Sequence, residues 1–467
     1  MVGISAYGIY VPARRMPLAM LAGRSAKVGG PEKAVAWSDE DSVTMAVEAA
    51  RSCLTGVDRS EIDMLLFATT TYAFSEKQGA AIIAKVLSLN ATVRAADISH
   101  SLKSGTQALL MALDAVASGN AKKVLVIAAD CRLGAPGSGL ENNGGDAAVA
   151  FMVSADNVIA AVEDSVTLSN ELVDIWRRDG DRFVHNWEDR FVVEHGYLEN
   201  SEAAAKQLFE KAAVSPADIS SAIFSAIDAR SHKTLAAKLG VKGTLVDPLI
   251  GRVGACGAAH ALLQLAGVLD SAAGNEKILL VNYGDGADAL LIKVLESGSA
   301  NKLEAAMAKS IPVKSLDQYR EAQGLNITEY EDMDFQGISA TIHFRERDEN
   351  LSLEGHVCSC GTHQFPKERV CIRCGGIDKW QSAACYAEKT AKVKAYSFDY
   401  FFPSPEPPTA VGVVEVDDGP RIYMQIAEAT QEQIDVDMPV SFVFRRIHQV
   451  GGRPNYFWKC CPLGDVQ

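Results

Sequence analysis

Apolar runs separated by polar turns dominate the first two thirds of the chain, and they occur in two matching series. Ile62-Asp63-Met64-Leu65-Leu66-Phe67 is echoed by Ile219-Ser220-Ser221-Ala222-Ile223-Phe224, and Ala108-Leu109-Leu110-Met111 by Ala261-Leu262-Leu263-Gln264. Lys123-Val124-Leu125-Val126-Ile127 matches Lys277-Ile278-Leu279-Leu280-Val281, and Gly145 to Phe151 resembles Gly286 to Leu291 after a shorter connection. Matches that keep one order predict an internal duplication. Short apolar strands alternating with helices predict buried sheets joined by crossovers, an α/β arrangement. The stretches Thr106 to Ala117 and Ala258 to Ala272 are apolar nearly all round, as expected of helices buried between layers. Their amino ends should lie near each other across a pseudo-twofold axis, where helix ends favour thiolates, enolates and oxyanions. The alternative is that the glycine-rich turns before these helices serve only close packing.

The pattern changes after Leu295. Polar helical segments, Ala305 to Ala308 and Leu316 to Glu321, predict a connector over 296–337. Cys358-Ser359-Cys360 and Cys371-Ile372-Arg373-Cys374 follow within a predicted ribbon over 338–378. Two tight knuckles at this spacing bring four thiolates around one Zn²⁺, a closed site that stabilises the fold. His356 and His363 are alternative ligands should a first-pair sulfur be poorly placed. Beyond Trp380 the residues alternate as five strands, Thr390 to Phe398, Thr409 to Val416, Arg421 to Ile426, Val440 to Arg446 and Tyr456 to Cys460, which predicts an OB-type barrel over 379–467. The two repeated halves cover 1–160 and 161–295.

Composition narrows the function. A chain of 467 residues exceeds one ordinary domain, and 45 basic against 59 acidic residues, net −14, argue against a nucleic-acid or anionic-membrane surface. No apolar run is long enough for a membrane span, and the ten cysteines fit a reducing, cytosolic compartment.

Particular stretches carry a family likeness. Asp97-Ile98-Ser99-His100-Ser101-Leu102-Lys103-Ser104-Gly105-Thr106, Asp174-Ile175-Trp176-Arg177-Arg178-Asp179-Gly180 with His185 and Arg190-Phe191, Ala236 to Gly240, Gly251 to Ala259 and Asn282-Tyr283-Gly284-Asp285-Gly286-Ala287 resemble landmarks of the thiolase superfamily. Within it, Met1 to Leu295 is most similar to the hydroxymethylglutaryl-CoA synthases of the archaeal kind. The resemblance implies a duplicated thiolase-like fold, a coenzyme A thioester substrate and a homodimer formed by pairing sheet edges. The segment from Cys358 onward resembles the zinc-ribbon and OB proteins that accompany thiolase-type enzymes as separate subunits, so a larger complex with another thiolase-type subunit is also implied. There the exposed-looking Phe401-Phe402-Pro403-Ser404-Pro405 loop would contact the CoA tail or a partner, unless it is a plain surface turn.

The same alignment removes the family's chemical groups. Its acyl-accepting Cys falls on Leu102, its general-base Glu on Thr71, its His on Ser225, and an amide-bearing position of related enzymes on Ala255 or Cys256. A covalent thioester at Leu102 is therefore excluded, whereas aldol or retro-aldol chemistry on a 3-hydroxyacyl-CoA needs only a proton shuttle and donors to the thioester oxygen. Tyr72, His100, Ser101, Lys103, Ser225, Asp228, His232 and His260 are the polar candidates. Cys256 is the cysteine expected near the helix tips, where a thiol would have a lowered pKa. Arg230 and Lys233 are candidates for the CoA phosphates. Bland roles stand beside these: Lys103 as a phosphate or surface contact, His232 as a helix cap, His260 and Cys256 as core residues, and Arg230 and Lys233 as surface cations. Two further readings remain, a catalytically silent scaffold or partner subunit, and ordinary acyl transfer through Cys256 or Ser101.

Overall fold

A computed structural model describes residues 1–225, 228–325, 340–402, 404–450 and 453–464. It contains two compact units, one of 1–36, 41–84 and 89–313, the other of 37–40, 85–88 and 314–467. Among the described residues no helix is long and apolar enough to cross a membrane. Part of the segment read as a connector, 326–337, lies outside the described residues, as does Pro403 of the aromatic loop; its described part holds helices Lys302–Ala308 and Leu316–Ala322.

The first unit repeats one topology twice. Strands β1 (Gly3–Tyr10), β2 (Met64–Ala68), β3 (Arg94–Ile98), β4 (Lys123–Asp130) and β5 (Ala147–Ser154) run in the order β1-β5-β4-β2-β3. Strands β6 (Ala160–Ser169), β7 (Ser221–Phe224), β8 (Thr244–Leu245), β9 (Lys277–Tyr283) and β10 (Gly286–Val294) run β6-β10-β9-β7-β8. In each half the first two pairings are antiparallel and the last two parallel. The halves join where Ile4 of β1 pairs with Ala160 of β6. The duplication read from the apolar runs is thus a duplication of strand order.

Helices α1 (Ser104–Ala117) and α2 (His260–Leu269) lie between the inner faces of the two halves, in one core that holds Leu109, Ala112, Leu262, Leu263 and Leu265 with Val126, Phe151, Leu280 and Leu290. Helix Ser42–Cys53 covers the outer face of the first half and Glu199–Ala212 that of the second. This is the duplicated, layered α/β fold with two buried central helices that the resemblance implies. The second central helix is shorter than the predicted Ala258 to Ala272. It is preceded by a tight 3₁₀ turn, Gly257–Ala259, whose Ala258 N–H is taken up by the Asp130 carboxylate. At its end the Asp270 N–H still bonds the Ala266 carbonyl, while the Asp270 carboxylate accepts from the Tyr7 hydroxyl and the Leu303 N–H.

In the second unit, His363–Gln364, Glu354–Cys358 and Trp380–Cys385 form a three-stranded ribbon. Thr390–Asp399, Thr409–Val416, Arg421–Ile426, Arg453–Pro462 and Pro439–Val450 close a five-stranded barrel in that order, filled by Val393, Val414, Ile422, Phe442, Phe444 and Trp458. The last two strands outrun the predicted segments because they pair with each other nearly end to end.

Candidate active site and metal centre

The tip of α1 is built by the elbow His100 to Lys103. His100, exposed, has φ +72° and turns the chain; Leu102 and Ser101 are half-buried behind it. Lys103 is buried, and its ammonium donates to the carbonyls of Leu168 (2.7 Å) and Asp285 (3.2 Å), so its charge is spent on backbone of the other half. The turn after β9 closes on the same elbow. A β-carbon on Gly284 would stand 2.8 Å from the Lys103 N and 3.0 Å from the Leu102 N, so only glycine allows this approach. The Asn282 amide donates to the Thr106 hydroxyl (3.1 Å) and the Leu102 carbonyl (3.4 Å), while its own buried oxygen lacks a partner among the described residues. Asp288 bonds Thr106 and Gln107, and burial raises its pKa against those bonds. Ser225 accepts the Tyr283 N–H at 2.7 Å.

The tip of α2 meets that of α1. A β-carbon on Gly105 would come within 2.3 Å of the Ala258 carbonyl, so the two helix ends are in backbone contact. Asp130, fully buried at the end of β4, closes this tip. Its carboxylate accepts from the Thr69, Thr70 and Thr71 hydroxyls and from the Thr70 and Ala258 N–H groups. Thr71 is held in this network. Cys256 lies just before the turn, buried, with its thiol on the Gly254 carbonyl. Its pKa is pushed well up, chiefly by burial and then by Asp146 and Asp130, the reverse of the lowering expected at a helix tip. Desolvation outweighs the partial charge of a helix end that Asp130 already neutralises. His260 accepts the Cys256 N–H (3.3 Å), and burial, with neighbouring His232, draws its pKa down to about 4.

The other expected site residues are more scattered. Tyr72 packs edge-on to Phe67; burial and then Asp97 raise its pKa. Asp228, rather than His232, caps helix Ala229–Leu239, accepting from the Arg230 and Ser231 N–H groups at 2.8 Å. His232 is buried against Phe224 with Nε2 on the Val246 carbonyl, and burial lowers its pKa. Arg230 and Lys233 are exposed on the same helix. The elbow thus assembles His100, Lys103 and, through Tyr283 and Gly284, Ser225; Tyr72, Asp228 and His232 belong to other local networks. Sequence reasoning missed Asp130 and Asn282. The signal was available: each is a polar residue in an otherwise apolar strand, and a buried polar group must find partners.

The cysteine cluster is compact. The Sγ atoms of Cys358, Cys360, Cys371 and Cys374 lie within 4.8 Å of one another, with Cys358 to Cys374 and Cys360 to Cys371 at 3.7 Å. Four sulfurs at ~2.3 Å from one ion in a tetrahedron would be about 3.8 Å apart, so the donor set fits a closed thiolate site. Neither alternative histidine joins it: His356 stacks on Trp380 and His363 Nδ1 is 3.3 Å from the Tyr386 hydroxyl.

Comparison with known proteins places these features. The family described as "ChsH2, C-terminal OB-fold domain" matches residues 386–445. Hydroxymethylglutaryl-CoA synthase of Pyrococcus furiosus is 34% identical over 301 residues, 61% of this chain and 84% of that protein. The Methanocaldococcus jannaschii enzyme of the same name is 32% identical over 325 residues, 66% of this chain and 93% of that one. Among solved structures, MvaS in complex with 3-hydroxy-3-methylglutaryl coenzyme A has TM-score 0.62 at 23% identity, covering 70% of this chain and 92% of that one. A 3-oxoacyl-[acyl-carrier-protein] synthase III from Aquifex aeolicus has TM-score 0.56 at 22% identity, covering 63% and 100%.

Proposed function

Because the chain belongs to the hydroxymethylglutaryl-CoA synthase family, we propose that it binds a coenzyme A thioester and makes or breaks a carbon–carbon bond next to the thioester carbonyl. The route is aldol or retro-aldol on a 3-hydroxyacyl-CoA, without an acyl-enzyme. The observation that carries this is Leu102: an aliphatic side chain stands at the tip of α1 where the family's acyl-accepting Cys is expected, and it cannot attack a thioester. In the forward direction a base takes a proton from the α-carbon, the enolate adds to a ketone or aldehyde carbonyl, and the resulting alkoxide takes a proton. The Leu102 N–H, which has no acceptor among the described residues, supports stabilisation of the thioester oxygen as charge develops. His100, Ser101 and Ser225 are the elbow groups offered to carry the proton, the Ser225 hydroxyl keeping its own hydrogen while it accepts the Tyr283 N–H; Lys103, Asp228 and His232 are committed to backbone partners. Arg230 and Lys233 are the cations assigned to the CoA phosphates. Cys358, Cys360, Cys371 and Cys374 would hold Zn²⁺, which supplies folding energy to the ribbon. A cytosolic homodimer, alone or with a second thiolase-type subunit, fits ten unbridged cysteines and the family resemblance.

The test is to incubate the purified full chain with 3-hydroxyacyl-CoA thioesters and follow products by chromatography, with intact-protein mass measured in parallel. Cleavage without a bound acyl group is expected; an acyl adduct on Ser101 or Cys256 overturns the non-covalent route. A second reading, a silent partner subunit, is favoured by Thr71, whose hydroxyl is locked onto Asp130 at 2.9 Å and cannot act as the missing base. Turnover that appears only with another protein added would select it.

A further inference from the structure

We propose that the barrel carries a binding site for a short acidic peptide, built from Arg445, Arg446 and Lys459, and that the chain's own Trp37-Ser38-Asp39-Glu40 stretch occupies it as an intramolecular ligand. The proposal goes beyond the CoA-thioester reading and does not depend on it.

The second compact unit consists of the carboxy-terminal segment together with two short stretches from far upstream, one of them 37–40. That stretch folds on itself as a turn: the Glu40 N–H donates to the Trp37 carbonyl and the Glu40 carboxylate accepts the Trp37 N–H, both at 2.9 Å. The barrel strand Pro439–Val450 holds it through backbone and side chain at once. Its register with the next strand shifts between Arg446 and His448, an irregularity that frees ladder groups for other partners. The Arg446 N–H donates at 2.8 Å to the Asp39 carbonyl, and the Arg446 guanidinium donates to the Ser38 carbonyl at 2.7 Å. From the paired strand Arg453–Pro462, Lys459 Nζ stands 2.8 Å from Asp39 Oδ2.

Charge complements this geometry. Arg445 is buried, 1% exposed, and a guanidinium taken out of water needs carboxylates close by. The stretch brings two, Asp39 at 3.9 Å and Glu40 at 3.7 Å, and Glu428 of the barrel brings another. Burial would raise the Asp39 pKa, but Lys459 and Arg445 hold it below the ordinary carboxylate value. A lone ion pair on a surface contributes little, whereas here adjacent acids, two backbone carbonyls and a buried arginine engage together. All of these contacts come from four consecutive residues, so what the barrel recognises is a short peptide with neighbouring carboxylates.

The experiment inserts a protease recognition sequence within 326–337 of the full chain, cleaves it, and follows co-elution of the two pieces on gel filtration as dilution and salt are increased. The wild-type pieces should stay together at low salt, because Trp37–Glu40 leaves with one piece and its site with the other. Asp39→Asn or Lys459→Met should each raise the dissociation constant roughly tenfold or more, and the combined variant should lose less than the product of the two, as expected of groups that act through each other. Asp39 lies in a turn, so its variant keeps the test valid if Lys459→Met disturbs the barrel. Separation of the wild-type pieces at low salt overturns the proposal, as does association that neither substitution weakens. Losses that simply multiply also overturn it, since the two charges would then not recognise each other. None of these readouts involves CoA, so their failure leaves the carbon–carbon bond chemistry standing.

Discussion

The N–H of Ala258 donates to the Asp130 carboxylate at 2.7 Å, which ties the leading turn of one central helix to the end of a strand in the other half of the duplicated fold. Burial, then Asp146 and Asp130, pushes the nearby Cys256 thiol well above its ordinary pKa, which favours the core role for that residue over the activated-sulfur one.

Replacing Leu102 with Cys should place a nucleophile at the other tip, where the N–H groups of the elbow remain and, among the described residues, no side chain caps the helix. Leu102→Cys is expected to gain the mass of one acetyl group on incubation with acetyl-CoA, while the wild type gains none. Failure of the variant to react even with a small alkylating reagent would mean that the elbow is closed.

Gly105→Ala should be costly, because the added carbon meets backbone at 2.3 Å rather than a side chain able to move. Overpacking of this kind costs about 1–3 kcal/mol, visible as a lowered Tm. Gly139, with nothing within 4 Å of its β-carbon position, is the control, and Gly139→Ala should unfold at nearly the wild-type temperature.

The thiolate site predicts one zinc ion per chain by elemental analysis. Cys371→Ser, at a buried position, should lose the metal and make the ribbon segment near Cys358 sensitive to protease, without altering cleavage sites in the first unit. Full metal retention by that variant would exclude a four-cysteine site.

His260 gives stability a definite pH dependence. Its folded pKa, about 4, lies below the ordinary 6.5, so the unfolded chain binds the proton more readily. The contribution is complete above pH about 6.5 and is lost as pH falls toward 4, amounting to roughly 3 kcal/mol at most. Denaturant midpoints at pH 7.5 and pH 5 should differ less in His260→Gln than in wild type; an unchanged difference would show that this imidazole titrates normally.

Much of this architecture was legible along the chain. The repeated apolar runs predicted the doubled strand order because a buried strand or helix advertises itself through local periodicity, and Cys358, Cys360, Cys371 and Cys374 predicted a metal site because close spacing limits how far four thiols can separate. The site was less legible. Lys103 and His232 read as chemical groups, yet one holds carbonyls of Leu168 and Asp285 and the other the carbonyl of Val246, partners that no local pattern identifies.

What the sequence by itself determined is the duplicated layered fold, the ribbon and barrel, and the absence of a nucleophile at position 102. What only the tertiary structure decided is the company each polar group keeps: Gly284 against the Leu102 amide, Asp130 across the tip of the second helix, Asp39 beside Lys459. Periodicity records whether a residue faces inward, while the protonation and reactivity of a buried group depend on charges brought close by chain segments that are distant in sequence.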